Sequence, residues 1–259
     1  MHCMVFDIET VPDVASGRRL FGLEALPEQD ALAAMQALRR EKSGSDFMPL
    51  HLHKIVAISV ALRSADDFRV WSLGGLEADE AELIQRFFDG IERFVPDLVS
   101  WNGTGFDLPV LHYRALHHGI DAATYWENGD QQREFRYNSY LGRYHWRHID
   151  VMDVLSAYQP RARAPLDDIA VMLGFPGKLG MSGDKVASVY ADGGLQQIRD
   201  YCETDVMNTY LVYLRFERMR GRLDGVGYDR EIARVKDWLQ TQDAEHWNAY
   251  RAAWSAADG

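Results

Sequence analysis

A chain of 259 residues with 47% hydrophobic content can bury one large core or two small ones, which excludes global disorder. Its formal net charge of −11 argues against a protein that coats nucleic acid irrespective of sequence, yet leaves room for one that meets nucleic acid in a cleft. No stretch approaches the roughly 18–20 apolar residues of a membrane span, and no signal peptide is visible. The two cysteines, Cys3 and Cys202, sit in apolar patterns, so reduced core thiols in a cytoplasmic protein are expected.

The chain opens on "MVFDIETVP", in which Met4, Val5, Phe6 and Ile8 read as a buried strand bounded by Pro12. Asp7 and Glu9 lie inside it and, at a strand's two-residue period, share one face. Carboxylates are costly to bury unless paired or metal-bound, so that face is either wet or holds something positive. Residues 13–50 read as an excursion, with one helix carrying Leu32, Met35 and Leu38 at three-residue spacing, then a loop. "KIVAISVALRSADDFRVWSLGG" predicts two strands joined by a turn at Ser64–Asp67.

Next comes a helix with an acidic first turn and a Leu83, Phe87, Ile91, Phe94 stripe. The strand "DLVSWN" and a helix stopped by Gly119 follow. Residues 121–147 are irregular, aromatic and Arg-bearing, and no element is assigned there. "HIDVMDVLSAY" predicts a strand running into a helix, with Asp150 and Asp153 as candidate supporting carboxylates and Asp153 expected on the exposed side. "PRARAP" reads as a basic linker, and "LDDIAVMLGFPGK" as a short helix ended by Gly174. A long helix through "YCETDVMNTYLVYL" and a last one through "YDREIARVKDWLQTQDAEHWNAYRAAW" complete the chain. The order predicts an α/β domain with a mixed sheet.

Three patterns place acids where a core would not want them. D-x-E occurs at Asp7–Glu9, Asp229–Glu231 and Asp243–Glu245, and only the first lies in an apolar strand; the others read as a solvated helix face. In "WNGTGFDLP" a strand ends at Asn102 and delivers Phe106 and Asp107 to a helix start, where Asp107 fits an N-cap or a first-turn acid as well as a ligand. The glycine backbone of this turn is a candidate source of hydrogen bonds to a substrate. In "YCETD", Tyr201 and Asp205 are four apart on one helix face, a spacing that equally suits a simple surface contact. Four hard oxygen ligands suit Mg²⁺ or Mn²⁺ and not zinc, and two such ions can clamp a phosphodiester.

Asp7-Ile-Glu9, Asn102-x-x-x-Phe106-Asp107 and Tyr201-x-x-x-Asp205 resemble, in order, the three motifs of DEDDy-type 3′–5′ exonucleases. These belong to the DnaQ-like group of the ribonuclease H-like superfamily. The second motif is closest to the proofreading domains of family B DNA polymerases. The chain leaves no room for a palm or fingers, so the resemblance is to stand-alone exonucleases related to those domains. It covers roughly residues 3–216.

The resemblance implies a ribonuclease H-like domain over 1–220 with a helical extension over 221–259 packed on it. It implies two ions, Mg²⁺ or Mn²⁺: Asp7, Glu9 and Asp205 would ligate one, Asp7 would bridge to the second, and Asp107 would approach that second ion. Tyr201 would orient the attacking water. The substrate would be the 3′ end of a single strand, DNA in preference to RNA, released as nucleoside 5′-monophosphates. Thr10, Asn102, Phe106 and Lys178 are the candidate nucleic-acid contacts, Phe106 fitting a core position equally well. A catalytically weak nucleic-acid-binding protein and a phosphoesterase for small nucleotides are the alternatives. No protein partner is indicated. His51, His53, His117 and His118 read as surface or capping residues, and Trp238, Trp247 and Trp254 as packing residues. Arg161, Arg163, Lys178 and Lys185 form a basic segment suited to solvent or to a phosphate backbone.

Overall fold

The acid-bearing first strand is the centre of the sheet. β1 (Cys3–Pro12) pairs antiparallel with β2 (His53–Ser64) and parallel with β4 (Asp97–Ser100). β3 (Asp67–Ser72) extends the β2 side and β5 (His148–Asp150) the β4 side, giving the order β3-β2-β1-β4-β5. This is the α/β, ribonuclease H-like mixed sheet expected from the sequence. The computed structural model describes residues 2–65 and 67–257; Asp66 of the expected turn and residues 258–259 lie outside them.

The excursion after β1 holds two helices, not one: α1 (Val14–Phe21) and α2 (Glu28–Ser43). Asp13 caps α1 by accepting from the Ser16 amide at 3.0 Å, and Gly22, at φ +66°, ends it. Gly17 is required where the two helices touch, because a Cβ there would stand 2.2 Å from Met35 Cε. Ala31 and Met35 are buried while Leu38 is exposed, since a strict three-residue spacing drifts off a helix face of period 3.6.

Alternation along β1 sends its side chains into two cores. Met4, Phe6 and Ile8 pack with α3 (Glu80–Phe94), α4 (Asp107–His118) and α5 (Ala123–Trp126). After β5 come α6 (Val151–Leu155), α7 (Leu166–Met172) and α8 (Val186–Ala191), then the 25-residue α9 (Leu195–Met219). Cys3 and Val5 point to the α9 side and share its core with α10 (Gly225–Gln240) and α11 (Glu245–Ala257). Both cysteines are free and buried. No helix among the described residues is long and apolar enough to cross a membrane.

Three expectations are corrected. The last predicted helix breaks between α10 and α11: the Arg251 guanidinium donates to the Leu239 and Gln242 carbonyls at the end of α10, and α11 folds back so that the Tyr250 hydroxyl reaches Asn208 Oδ1 at 2.6 Å. Glu231, expected on a solvated face, is buried and accepts from Arg63 at 2.6 and 2.8 Å. Asp153, expected to be exposed, is 1% exposed and bonded by Arg143 and Arg163. In both cases a distant guanidinium makes burial tolerable, and local pattern carries no sign of it.

Candidate metal centre and nucleic-acid cleft

Three elements deliver the four carboxylates. β1 contributes Asp7 and Glu9 on the face toward α9, and α9 contributes Asp205. The β1–β2 register shifts just past the acids, where Glu9 pairs with Ala57 and Thr10 with Ile55, leaving Val56 of β2 as the extra residue of a bulge, a feature common beside sites. Asp107 is the first-turn acid of α4 and not its N-cap, which is Phe106; its Oδ1 accepts from the Ile8 amide at 3.2 Å and ties α4 to β1. Glu9, Asp107 and Asp205 are 7%, 3% and 7% exposed, far below the ordinary carboxylate.

These acids are not neutralised. Burial first, then Asp107 and Asp205, push the Asp7 carboxyl well above its usual range; burial and Asp7 do the same to Glu9. Burial lifts Asp107 to about 7, even though its own backbone and the Ile8 amide pull it down. Asp205 rises to about 6 by burial, with Lys178 opposing. The Lys178 ammonium lies 4.0 Å from Asp205 Oδ2 and over the Tyr201 ring, too distant for a close ion pair. Asp205 Oδ1 is buried and has no hydrogen-bond partner among the described residues. A carboxylate set with an orphaned buried oxygen fits a hard divalent cation. Sequence reasoning missed Cys202: its Sγ lies within 4.8 Å of ligand atoms of Asp7 and Glu9 and donates toward Asp7. Burial and the two acids push that thiol up.

A cleft of about 840 Å³ brings together Asp7, Glu9, Thr10, Asn102, Phe106, Asp107, Lys178 and Asp205. Tyr201 is not on its wall. That ring is buried against Val11, Val56 and Met181, and burial with the neighbouring acids keeps its hydroxyl protonated.

The glycine turn is built differently from the expectation. Asp150 accepts from the Asn102 and Thr104 amides at 3.0 and 2.9 Å, and the Asn102 carbonyl accepts from Gly105 and Phe106. These amides therefore stabilise the turn and are not free for a substrate. Gly103 and Gly105 are needed for closeness: a Cβ would stand 2.2 Å from Ser100 Oγ or 2.4 Å from Asn102 Oδ1. Asn102 itself sits at φ +66°, which asparagine tolerates better than most residues.

The excursion forms one wall, contributing Gln36, Asp46 and Phe47. Phe47 is 55% exposed and packs with Phe106 and with His53, which is buried and not a surface residue. His53 Nδ1 is 2.8 Å from the Thr10 hydroxyl. An aromatic preceding a His-x-His run was the available signal for Phe47, but only the fold joins it to Phe106. The C-terminal helices support the opposite side, because Tyr250 holds Asn208, whose Nδ2 donates to the Gly177 carbonyl at 2.9 Å beside Lys178.

A family model described as "Predicted 3'-5' exonuclease related to the exonuclease domain of PolB" matches residues 45–254. The match begins after β1 and runs through α10 and into α11, further toward the C-terminus than the expected span of 3–216. The catalytic subunit of DNA polymerase epsilon from Saccharomyces cerevisiae is 29% identical over 150 residues, which is 54% of this chain and 6% of that protein. Its Schizosaccharomyces pombe counterpart is 26% identical over 148 residues, with the same shares. The family B DNA polymerase from the hyperthermophilic archaeon Pyrobaculum calidifontis shares the fold, with a TM-score of 0.52 and 21% identity over 81% of this chain and 24% of that one. The chain thus spans only a small part of the polymerases it matches.

Proposed function

The chain belongs to the family of predicted 3′–5′ exonucleases related to the exonuclease domain of PolB, and from that premise we propose that it hydrolyses single-stranded nucleic acid from the 3′ end, DNA in preference to RNA, in the cytoplasm. The observation that carries this is the convergence in one cleft of a half-buried Asp7 with buried Glu9, Asp107 and Asp205, with no closer cation among the described residues than Lys178, 4.0 Å from Asp205. These four residues would hold two ions, Mg²⁺ or Mn²⁺, which when bound supply charge neutralisation at the phosphate and acidity for water. The water oxygen bonds to the terminal phosphorus as the bond to the 3′ oxygen breaks, releasing a nucleoside 5′-monophosphate. Residues 1–220 would form the catalytic domain and 221–259 its supporting extension.

The remaining residues bind and orient. Thr10 and Asn102 would contact the terminal nucleotides, and Phe106, backed by Phe47, would stack on a base. Lys178 would trade Asp205 for a phosphate and uncover Tyr201, whose protonated hydroxyl would then orient the attacking water.

Incubating 5′-labelled single-stranded DNA and RNA with Mg²⁺ or Mn²⁺ tests the reading. Stepwise shortening by the wild type and none by Asp7→Ala is expected; indistinguishable digests would sink it. A nucleotide ester cut faster than the oligonucleotides would favour a small-molecule phosphoesterase instead. Tyr201→Phe should slow hydrolysis roughly a hundredfold while calorimetric Mn²⁺ binding persists. Lost metal binding would remove the orienting role.

A further inference from the structure

The irregular segment before β5 is unlike the rest of the molecule. Residues 133–147 carry four arginines against a single acid, Glu134, in a protein of net charge −11. Asp153, 1% exposed, fixes two guanidinium groups at once: Arg143 Nη2 at 2.9 Å and Arg163 Nη2 at 3.1 Å. Arg163 stands on the cleft wall, and Arg143 is joined to it through the shared Asp153. The Arg143 guanidinium covers the Tyr158 ring at 5.0 Å, and Tyr158 meets Tyr144 edge-on at 5.0 Å.

Tyr144 is 72% exposed, so its ring is open to stacking. The turn presenting Tyr158 is also one that an unconstrained chain avoids. Ala157 and Tyr158 are consecutive non-glycine residues at φ +50° and +61°, held by the Tyr158 amide donating to the Asp153 carbonyl at 2.8 Å. One buried carboxylate therefore links a cleft-wall arginine, Arg163, to a second cation and two tyrosines. Elsewhere on the cleft rim Asp46 and Asp184 would repel a phosphodiester backbone.

We propose that Arg143, Tyr144 and Tyr158 form a track, leading out of the cleft past Arg163, that binds the nucleotides upstream of the 3′ end of a single strand. Exposed rings give sequence-tolerant stacking and the arginines take phosphates, which is the chemistry single strands require. The inference rests on the exonuclease reading and specifies where its substrate lies beyond the terminal nucleotides.

The test compares KM for a 5′-labelled single-stranded oligonucleotide of about a dozen nucleotides, long enough for the usual single-strand site, with KM for a dinucleotide. Wild type should bind the longer substrate much more tightly. The doubly substituted Arg143→Ala, Tyr144→Ala protein should lose about tenfold of that advantage, the scale of one stacked base. Tyr144→Trp should keep it. An equal loss on both substrates would mark a structural role and overturn the track, as would a wild-type KM independent of length, which would hand the patch to another partner. Wild type that cuts neither substrate would overturn the exonuclease reading and this inference together; normal cutting with an unaltered KM ratio in the double variant would overturn only the track.

Discussion

Two groups of buried acids in this molecule solve the same problem in opposite ways. On the side of the sheet away from α9, Glu80 accepts from Arg114 Nε at 2.8 Å, from the Ile55 amide at 2.6 Å and from His118, while Asp13 takes another arm of the same Arg114. Near α10, Glu231 is closed by Arg63 and the Tyr210 hydroxyl. At the cleft floor, Asp7, Glu9, Asp107 and Asp205 face one another, and the nearest ammonium, on Lys178, stands 4.0 Å from one of them. A guanidinium-locked acid is finished by folding, whereas an acid whose buried oxygen has no partner still asks for a cation. Burial alone does not mark a site; burial without closure does.

The largest test of that contrast is catalytic. Asp7→Ala should lower the exonuclease rate by roughly 10³-fold or more, since metal stabilisation is worth several kcal/mol. Glu9→Gln should cost less, because in the proposed site Asp7 would serve both ions and Glu9 only one. Equal rates for Asp7→Ala and wild type would erase the distinction.

Second in size is Arg114→Met, which strands Glu80 and Asp13. It should cost about 3–5 kcal/mol of stability in denaturant unfolding, and a cost below 1 kcal/mol would mean that closure by Arg114 matters little.

A smaller effect should follow Mn²⁺. At about a hundred times its Kd it should stabilise wild type by about 2.7 kcal/mol. Asp7→Asn should lose most of that gain yet melt higher than wild type in EDTA, by about 2–4 °C. A lower melting point for the variant in EDTA would show that the acids are not in conflict.

The smallest effect is a slope with pH, measured in EDTA. Asp107 and Asp205, raised to about 7 and about 6, keep protons in the folded state that the unfolded chain releases near its usual carboxylate pKa of about 4. Burial lowers His112 and His148 to about 4, which acts in the opposite sense, so the carboxylate effect is read as a difference: relative to an Asp107→Asn, Asp205→Asn variant, wild-type stability should fall as pH rises from about 4 to 7. Glu231 has the opposite sign. Burial raises it, but the Arg63 bonds outweigh burial and hold it below its usual value, so its contribution exists above about pH 4.3 and is lost on acidification. A metal-free difference between wild type and that variant that rises between pH 5 and 7 would contradict the cleft assignment.

Much of the centre was legible because its spacing is local. Asp7 and Glu9 share a strand face, and Tyr201 and Asp205 a helix face, whatever the rest of the chain does. The same D-x-E spelling at Asp229–Glu231 misled because its partner, Arg63, is 168 residues away from Glu231. Asp153 misled likewise, its fate being set by two arginines outside its helix. The glycine turn was located correctly, yet which amides remain free depended on Asp150, 48 residues beyond Asn102. Phe47 and His53 stayed hidden because ring contacts with Phe106 exist only after the excursion folds against α4. Periodicity reports faces; it cannot report which distant charge arrives to close them.

The bulge on β2 opposite Glu9 and Thr10 bears on how such a protein can vary. Because the extra residue, Val56, absorbs a change of register, Cys3–Glu9 keep one alignment on β2 and Thr10–Pro12 another. Length changes in the loops and helices beyond Pro12 can be taken up downstream of that break. The strand that carries the two acids need not move with them. The excursion is therefore a replaceable module: grafts there can reshape the cleft wall that holds Phe47 while Asp7 and Glu9 keep their coordinates.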